Sequence, residues 1–325
     1  MINTKPISRG AVAALLALGG PALAQDEPLT VAFGDIPSIE SLNLLIAMER
    51  TAEAGVPMEI TYFNSEDVAV QAVLGGEADI GVGAPYALLQ NSGAPVRMFF
   101  RMSTLLFFPV VNSEIYSGWQ DLDGEEVTVH SRGSGTEALM LLMADENGIE
   151  YSDVSYVPGS EVRAGAMLQG TIDATIVDAA SFRLLQNQGG DRFQRLPIAG
   201  VNATDEALYA GLDVLETRAD AIEVFVTELI RTWEEINETP EVVADLRAQY
   251  ALLPDLPDTV ASEAATYYAE AVENGVYPAD GGEPQDARDD IAFLSAAGQV
   301  EGDPEQIDPA DYWNFDALEA AKGRQ

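Results

Sequence analysis

The sequence has no cysteine, a single histidine (His130), two lysines (Lys5 and Lys322) and no apolar run long enough to span a bilayer. Without cysteine there is no disulfide, no thiolate metal site, no thiol nucleophile and no lipid-modified cysteine. One histidine without cysteine cannot build the usual zinc sites, so no metal is expected. A Ser-His-Asp order, a nucleophile elbow, a nucleotide P-loop and a dinucleotide fingerprint are all missing. No catalytic residue and no cofactor can be assigned, and an enzyme is not expected. Basic residues are scarce as well: 16 against 54 acidic ones, for a formal charge of −38. Such a field repels nucleic acid and anionic lipid surfaces. With 47% hydrophobic residues the acidic chain still has the means to bury a core.

What is present begins with a leader. Lys5 and Arg9 precede the apolar run Ala11 to Gly20, and Ala22-Leu23-Ala24 forms a small-residue cleavage site, the pattern of a secretory signal peptide over residues 1–24. The mature chain is therefore expected in a periplasm, free rather than lipid-anchored and without stable membrane insertion. Its length suits two lobes.

The body of the chain spells one pattern twice. Ala72, Leu74, Gly76 and Asp79 fall on Ala166, Leu168, Gly170 and Asp173, and upstream Tyr62 falls on Tyr156. Each copy reads as a helix, a Gly stop, an Asp and a short buried strand. Two β-α-β-α-β units follow, over residues 29–84 and 126–178. Between them, Val96 to Phe100 and Leu105 to Val111 suit strands that leave one lobe and cross to another. Arg195 to Ile198 and Leu208 to Leu215 carry the chain back. From Ala219 onward the pattern is mainly helical, with Ile222, Phe225, Val226, Leu229 and Trp233 on one face.

Strands joined by helices pair in parallel, and such sheets bind ligands beyond the carboxyl ends of their strands. In the first unit that places Gly34, Asp35 and Ser38, then Ala84, Pro85 and Tyr86, at a ligand mouth. In the second it places Ser131, Arg132, Gly133, Ser134, Gly135 and Thr136 there, a loop whose hydroxyls, guanidinium and amides suit an anion at a helix N-terminus. Asp178 stands where the first copy has Ala84, so a carboxylate replaces a methyl group at equivalent mouth positions. It can accept from an ammonium or ring N–H, or cap the helix that follows. Asp79 and Asp173 lie at the opposite strand ends and read as structural turns. Phe107 is a candidate cleft aromatic; with Phe108, Tyr86 and Phe182, core packing is the stronger alternative.

The leader, Leu74 to Asp79, Trp119 to Val127 and Ala166 to Ala174 together resemble the solute-binding proteins of nitrate/sulfonate/taurine-type ABC transporters, a group that includes thiamine-pyrimidine-precursor binders. The resemblance implies an α/β, two-lobed type II periplasmic binding fold, each lobe a mainly parallel sheet flanked by helices, with a C-terminal helical region. It implies lobe 1 over 25–108, lobe 2 over 109–202, and a return to lobe 1 plus C-terminal helices over 203–325. It also implies a monomer that captures a small-molecule solute between the lobes and delivers it to a permease. An anion or aminosulfonate-like zwitterion fits a pairing of the 131–136 loop with Asp178. A pyrimidine-like ring is the alternative ligand, and a sensory subunit or an exported enzyme is the alternative class.

Overall fold

The computed structural model describes residues 27–198 and 200–323; the leader and its cleavage site lie outside the described residues. Ten strands run in chain order: β1 (Leu29–Phe33), β2 (Met58–Tyr62), β3 (Ile80–Gly83), β4 (Val96–Arg101), β5 (Phe108–Asn112), β6 (Glu126–Val129), β7 (Asp153–Tyr156), β8 (Ala174–Val177), β9 (Phe193–Arg195) and β10 (Ala207–Gly211). The first-lobe helices near the cleft are α1 (Leu42–Glu53), α2 (Glu66–Leu74) and α3 (Tyr86–Ser92). Those of the second lobe are α4 (Gly135–Asn147), α5 (Ser160–Gln169) and α6 (Ala179–Gly189). The remainder supplies α7 (Leu212–Thr217), α8 (Ala219–Glu238), α9 (Val242–Tyr250), α10 (Asp258–Ala261), α11 (Ala264–Glu273), α12 (Pro284–Ala296) and α13 (Asp316–Lys322).

The strands make two five-stranded sheets, ordered β2-β1-β3-β10-β4 and β7-β6-β8-β5-β9. The twice-written pattern is thus a twice-built sheet, since β2-β1-β3 and β7-β6-β8 are parallel and share one order. Each sheet is mixed: β10 runs antiparallel to β3 and β4, and β5 runs antiparallel to β8 and β9. The antiparallel strands are the ones that leave and re-enter a lobe. The expected strand from Leu105 starts only at Phe108, because residues 102–107 form the connection instead.

The two connecting segments pair with each other. Leu105 N–H donates to the Ala203 carbonyl at 2.8 Å, Asp205 N–H to the Ser103 carbonyl at 3.0 Å, and Thr104 bridges Thr204. This two-stranded strap between the lobes is the floor of the cleft.

The apolar stripe of α8 is buried as its spacing predicts, with Ile222, Phe225, Val226, Leu229 and Trp233 all fully enclosed. Trp233 packs edge-on to Phe100 and donates from Nε1 to the Met102 carbonyl at 2.7 Å, tying the helix to the start of the strap. Asp79 and Asp173 act at strand bases. Asp79 Oδ2 accepts from the Thr30 amide and hydroxyl at 2.8 Å, and Asp173 Oδ1 accepts from Asn112 Nδ2 at 2.9 Å. Among the described residues no helix is long and apolar enough to cross a membrane.

Candidate functional site

A cavity of about 80 Å³ lies between the lobes at the carboxyl ends of the parallel strands, lined by both lobes, the strap and α11. A second, outer cavity of about 450 Å³ adjoins it, and Glu40, Asp178, Ala180 and Tyr267 line both. The inner cavity is strongly acidic. Its walls carry Asp35, Glu40, Glu66, Asp178, Asp205, Glu206 and Glu270 against His130 and Arg163.

Each carboxyl arrives by a definite piece of backbone. Asp35 lies in the turn after β1, and Glu40 in a 3-10 turn whose capping residue, Ser38, accepts from the Glu40 amide at 3.2 Å. Glu66 opens α2, and two glycines clear room for it. A Cβ at Gly34 would come within 2.5 Å of Glu66 Cα, and one at Gly83, where φ is +138°, within 2.8 Å of Glu66 Oε2. Asp205 and Glu206 come from the strap, where the Ser103 hydroxyl accepts from the Glu206 amide at 3.2 Å. Asp178 caps α6, accepting from the Ser181 amide at 2.7 Å, and also lines both cavities. Its capping and cleft roles coexist because a carboxylate has two oxygens.

Enclosing these groups shifts their protonation. Burial, reinforced by Asp205, pushes Glu66 up to about 8. Burial pushes Asp205 up to about 7 and Asp35 up to about 6. Glu40 and Glu206 rise well above the carboxylate range, first by burial and then by repulsion from Asp178 and Asp205 respectively. His130 moves the other way, to about 3, because burial and Arg163 disfavour the imidazolium. The only histidine is therefore neutral at pH 7.

Arg163 is the one permanent cation on the wall, and three of its five N–H groups are engaged within the second lobe. It is 1% exposed; Nε donates to the Ile176 carbonyl at 3.0 Å, Nη1 to the Val157 carbonyl at 2.8 Å and Nη2 to Ser160 Oγ at 3.4 Å. It clamps the ends of two strands.

Of the residues expected at the mouth, Asp35, Phe107, Ser134, Thr136 and Asp178 line the inner cavity, and Ser38 lines the outer one. Gly34 lies against the start of α2, and Ala84 is buried just after β3. Arg132 is exposed on the outer rim with its guanidinium 4.9 Å over the Tyr156 ring, beside Pro85 and Gly133 in a minor groove. The 131–136 loop satisfies much of itself: Gly133 N–H donates to Glu137, His130 N–H to Thr136 Oγ1, and Ser134 Oγ to the Ser131 carbonyl. Gly135 is held against Leu105, where a Cβ would come within 2.9 Å. Tyr86 is buried away from the cavity, donating to Asp290 Oδ2 at 2.7 Å and accepting from Trp313 Nε1 at 2.6 Å. Phe108 and Phe182 sandwich Arg195.

Sequence reasoning did not reach Glu40, Glu66, Asp205, Glu206, Arg163, Tyr267 or Glu270. Glu66 opens α2 after β2, and Arg163 lies in the first turn of α5 after β7, so both follow the carboxyl end of a parallel strand. Among the described residues no group of three or more His, Asp or Glu is arranged to hold a metal ion.

The family model described as NMT1/THI5 like matches residues 43–242, well over half of the chain and most of both sheets. The chain belongs to the NMT1/THI5-like family. No curated protein matches it in sequence. Among solved structures, a protein from Bordetella bronchiseptica is 23% identical, with a TM-score of 0.75 over 92% of this chain and 98% of that one. The periplasmic nitrate-binding protein NrtA from Synechocystis is 14% identical, with a TM-score of 0.69 over 92% and 89%. A putative periplasmic sulfonate-binding protein from Methylobacillus flagellatus is 16% identical, with a TM-score of 0.60 over 92% and 94%. These likenesses show that this NMT1/THI5-like chain has the periplasmic binding protein fold, two mixed sheets flanked by helices. The Synechocystis and Methylobacillus neighbours are named as binding proteins for nitrate and sulfonate.

Proposed function

We propose that the chain is the periplasmic solute-binding component of an ABC importer and that its solute carries a cationic or multiply N–H-donating nitrogen, either an amine or a protonated aminopyrimidine-like ring. The observation that carries this reading is the inner wall: seven carboxyl groups against a neutral His130 and a single cation, Arg163, that is held by the Ile176 and Val157 carbonyls. A buried carboxylate is stabilised by a donor with positive charge and destabilised by an anion. Tyr267 and Phe107 line the same cavity, and aromatic rings beside those acceptors suit a flat heterocycle or an alkylammonium.

Secretion by the leader, lobe boundaries near residues 108 and 202, a monomeric state and delivery to a permease belong to the same proposal. The hydroxyls of Ser134, Thr136 and Ser160 and the names of the nitrate- and sulfonate-binding neighbours favour a second reading, an aminosulfonate with its ammonium toward Asp178. It is weaker because the sulfonate would sit among seven carboxyl groups with Arg163 as the one cation on the wall.

A thermal-shift screen at pH 7 separates the two, since a ligand of the native state raises its melting point, by about 2.7 kcal/mol of stability at a hundred times Kd. Primary amines and aminopyrimidines should raise it, and methanesulfonate and nitrate should not. Shifts with sulfonates or nitrate and none with any nitrogen base would overturn the reading.

A further inference from the structure

The outer cavity is much the larger of the two in the cleft, about 450 Å³ against about 80 Å³. Sites for small organic molecules run from about 300 to 1,000 Å³, so the inner cavity suits a polar head and only the outer one suits a molecular body. The two share a neck, since Glu40, Asp178, Ala180 and Tyr267 line both.

Three parts of the chain wall the outer cavity: the turn after β1 in the first lobe, α5 and α6 in the second, and α10 and α11 from the C-terminal region. Each part brings an aliphatic side chain, Ile39, Leu184 and Val260 in turn, and Tyr267 adds an aromatic ring. Much of the polar surface there is paired or open to solvent. Ser38 accepts from the Glu40 amide at 3.2 Å, Arg183 pairs with Glu263 at 3.5 Å and with Glu270, and Asn187 and Gln188 are exposed. The acceptors therefore concentrate in the inner cavity and at the neck, while the outer wall offers contact to carbon. Burying a methylene group against such a wall strengthens binding about fourfold.

We propose that the outer cavity is the subsite for an apolar body, so that the solute is a two-part molecule with its polar head in the inner cavity and an alkyl chain or apolar ring in the outer one. The occupant is the far end of the same solute because the neck is shared. Leu184 and Val260 then set the length and width of solute that the protein accepts, and nitrate or a one-carbon sulfonate would leave this subsite unfilled. The inference rests on the reading of the cleft as a solute site, and it holds whatever charge the head carries.

Calorimetry on the full protein at pH 7 with two homologous series, the n-alkylammonium and the n-alkanesulfonate ions from methyl to octyl, tests it. The expected result is a Kd that falls about fourfold per added carbon along the alkylammonium series until the subsite is filled. In Leu184→Gln and Val260→Gln, checked as folded by melting curves, the preference for long over short homologues should shrink by at least about threefold. The same dependence along the sulfonates, with no binding of the amines, would keep the two-part site and overturn the cationic head. Affinity that does not change with length in whichever series binds, binding of neither series, or a length preference undiminished in both folded variants would overturn the inference.

Discussion

His130, at the end of β6 in the second lobe, lies between two carboxyl groups of the first lobe, with Nδ1 3.8 Å from Asp35 Oδ2 and Nε2 3.6 Å from Glu66 Oε1. Neither is a hydrogen bond at that length. The neutral ring touches both carboxyls without pairing with either, and all three groups line the cavity. The contact joins the lobes without neutralising the site.

Stability of the ligand-free protein should fall between pH 6.5 and 8. Asp205 and Glu66 have folded values of about 7 and about 8, above their ordinary 3.8 and 4.5, so the native state binds more protons than the unfolded chain across this window. Their ionisation in the fold is a growing penalty as pH rises. His130, depressed to about 3, works in the opposite direction, but only up to its ordinary 6.5, so it is silent in the chosen range. Melting temperature against pH in low salt should show the decline, and Glu66→Gln should flatten its upper part; a flat wild-type profile would remove the basis for these assignments.

Gly83→Ala should cost more than Gly76→Ala. Both glycines have positive φ, +138° and +72°, but a methyl group at 76 meets open space while one at 83 collides with the Glu66 carboxylate. Gly76→Ala should cost about 1 kcal/mol and Gly83→Ala about 2–4 kcal/mol, measured by denaturant unfolding. Only the change at 83 should weaken solute binding.

Asp290→Ala should destabilise by about 2–4 kcal/mol, because it strands the buried Tyr86 hydroxyl and Thr204 amide that now donate to it at 2.7 and 2.6 Å. Paired with Tyr86→Phe, the double-mutant cycle should show coupling, which locates Tyr86 in the fold rather than at the solute.

Arg132 and Arg163 make a contrasting pair. Arg132→Ala should leave solute affinity unchanged and cost about 0.5–1 kcal/mol, the worth of an exposed cation–π contact with Tyr156. Arg163→Met should cost about 3–5 kcal/mol, since it leaves strand-end carbonyls and nearby carboxylates uncompensated. Equal stability of the two variants in urea would refute the assignment of Arg163 as a structural clamp.

The sheets were legible because burial writes itself as short apolar runs. β1 and β3 have the bounds that their residues suggest, and the repeat of Ala72, Leu74 and Gly76 in Ala166, Leu168 and Gly170 is the repeat of one parallel unit. The mouth loops were legible for the same topological reason, and Asp178, set against Ala84, does reach the cavity. The choice between Arg132 and Arg163 was not. A loop rich in Gly, Ser and Arg looks like an anion cradle in one dimension, yet Glu137 takes the Gly133 amide, the Ser131 carbonyl takes the Ser134 hydroxyl, and the arginine that enters the site sits one turn into α5. Glu206 and Glu270 were invisible because they reach the cleft from the returning strap and a C-terminal helix, and no local spacing distinguishes them among 54 acidic residues.

The most direct measurement of the central claim is mass spectrometry of the small molecule released on denaturing the protein purified from its own periplasm. A stoichiometric nitrogen base, cationic at neutral pH, is the predicted result. A stoichiometric sulfonate, nitrate or carboxylate without a basic nitrogen would contradict it.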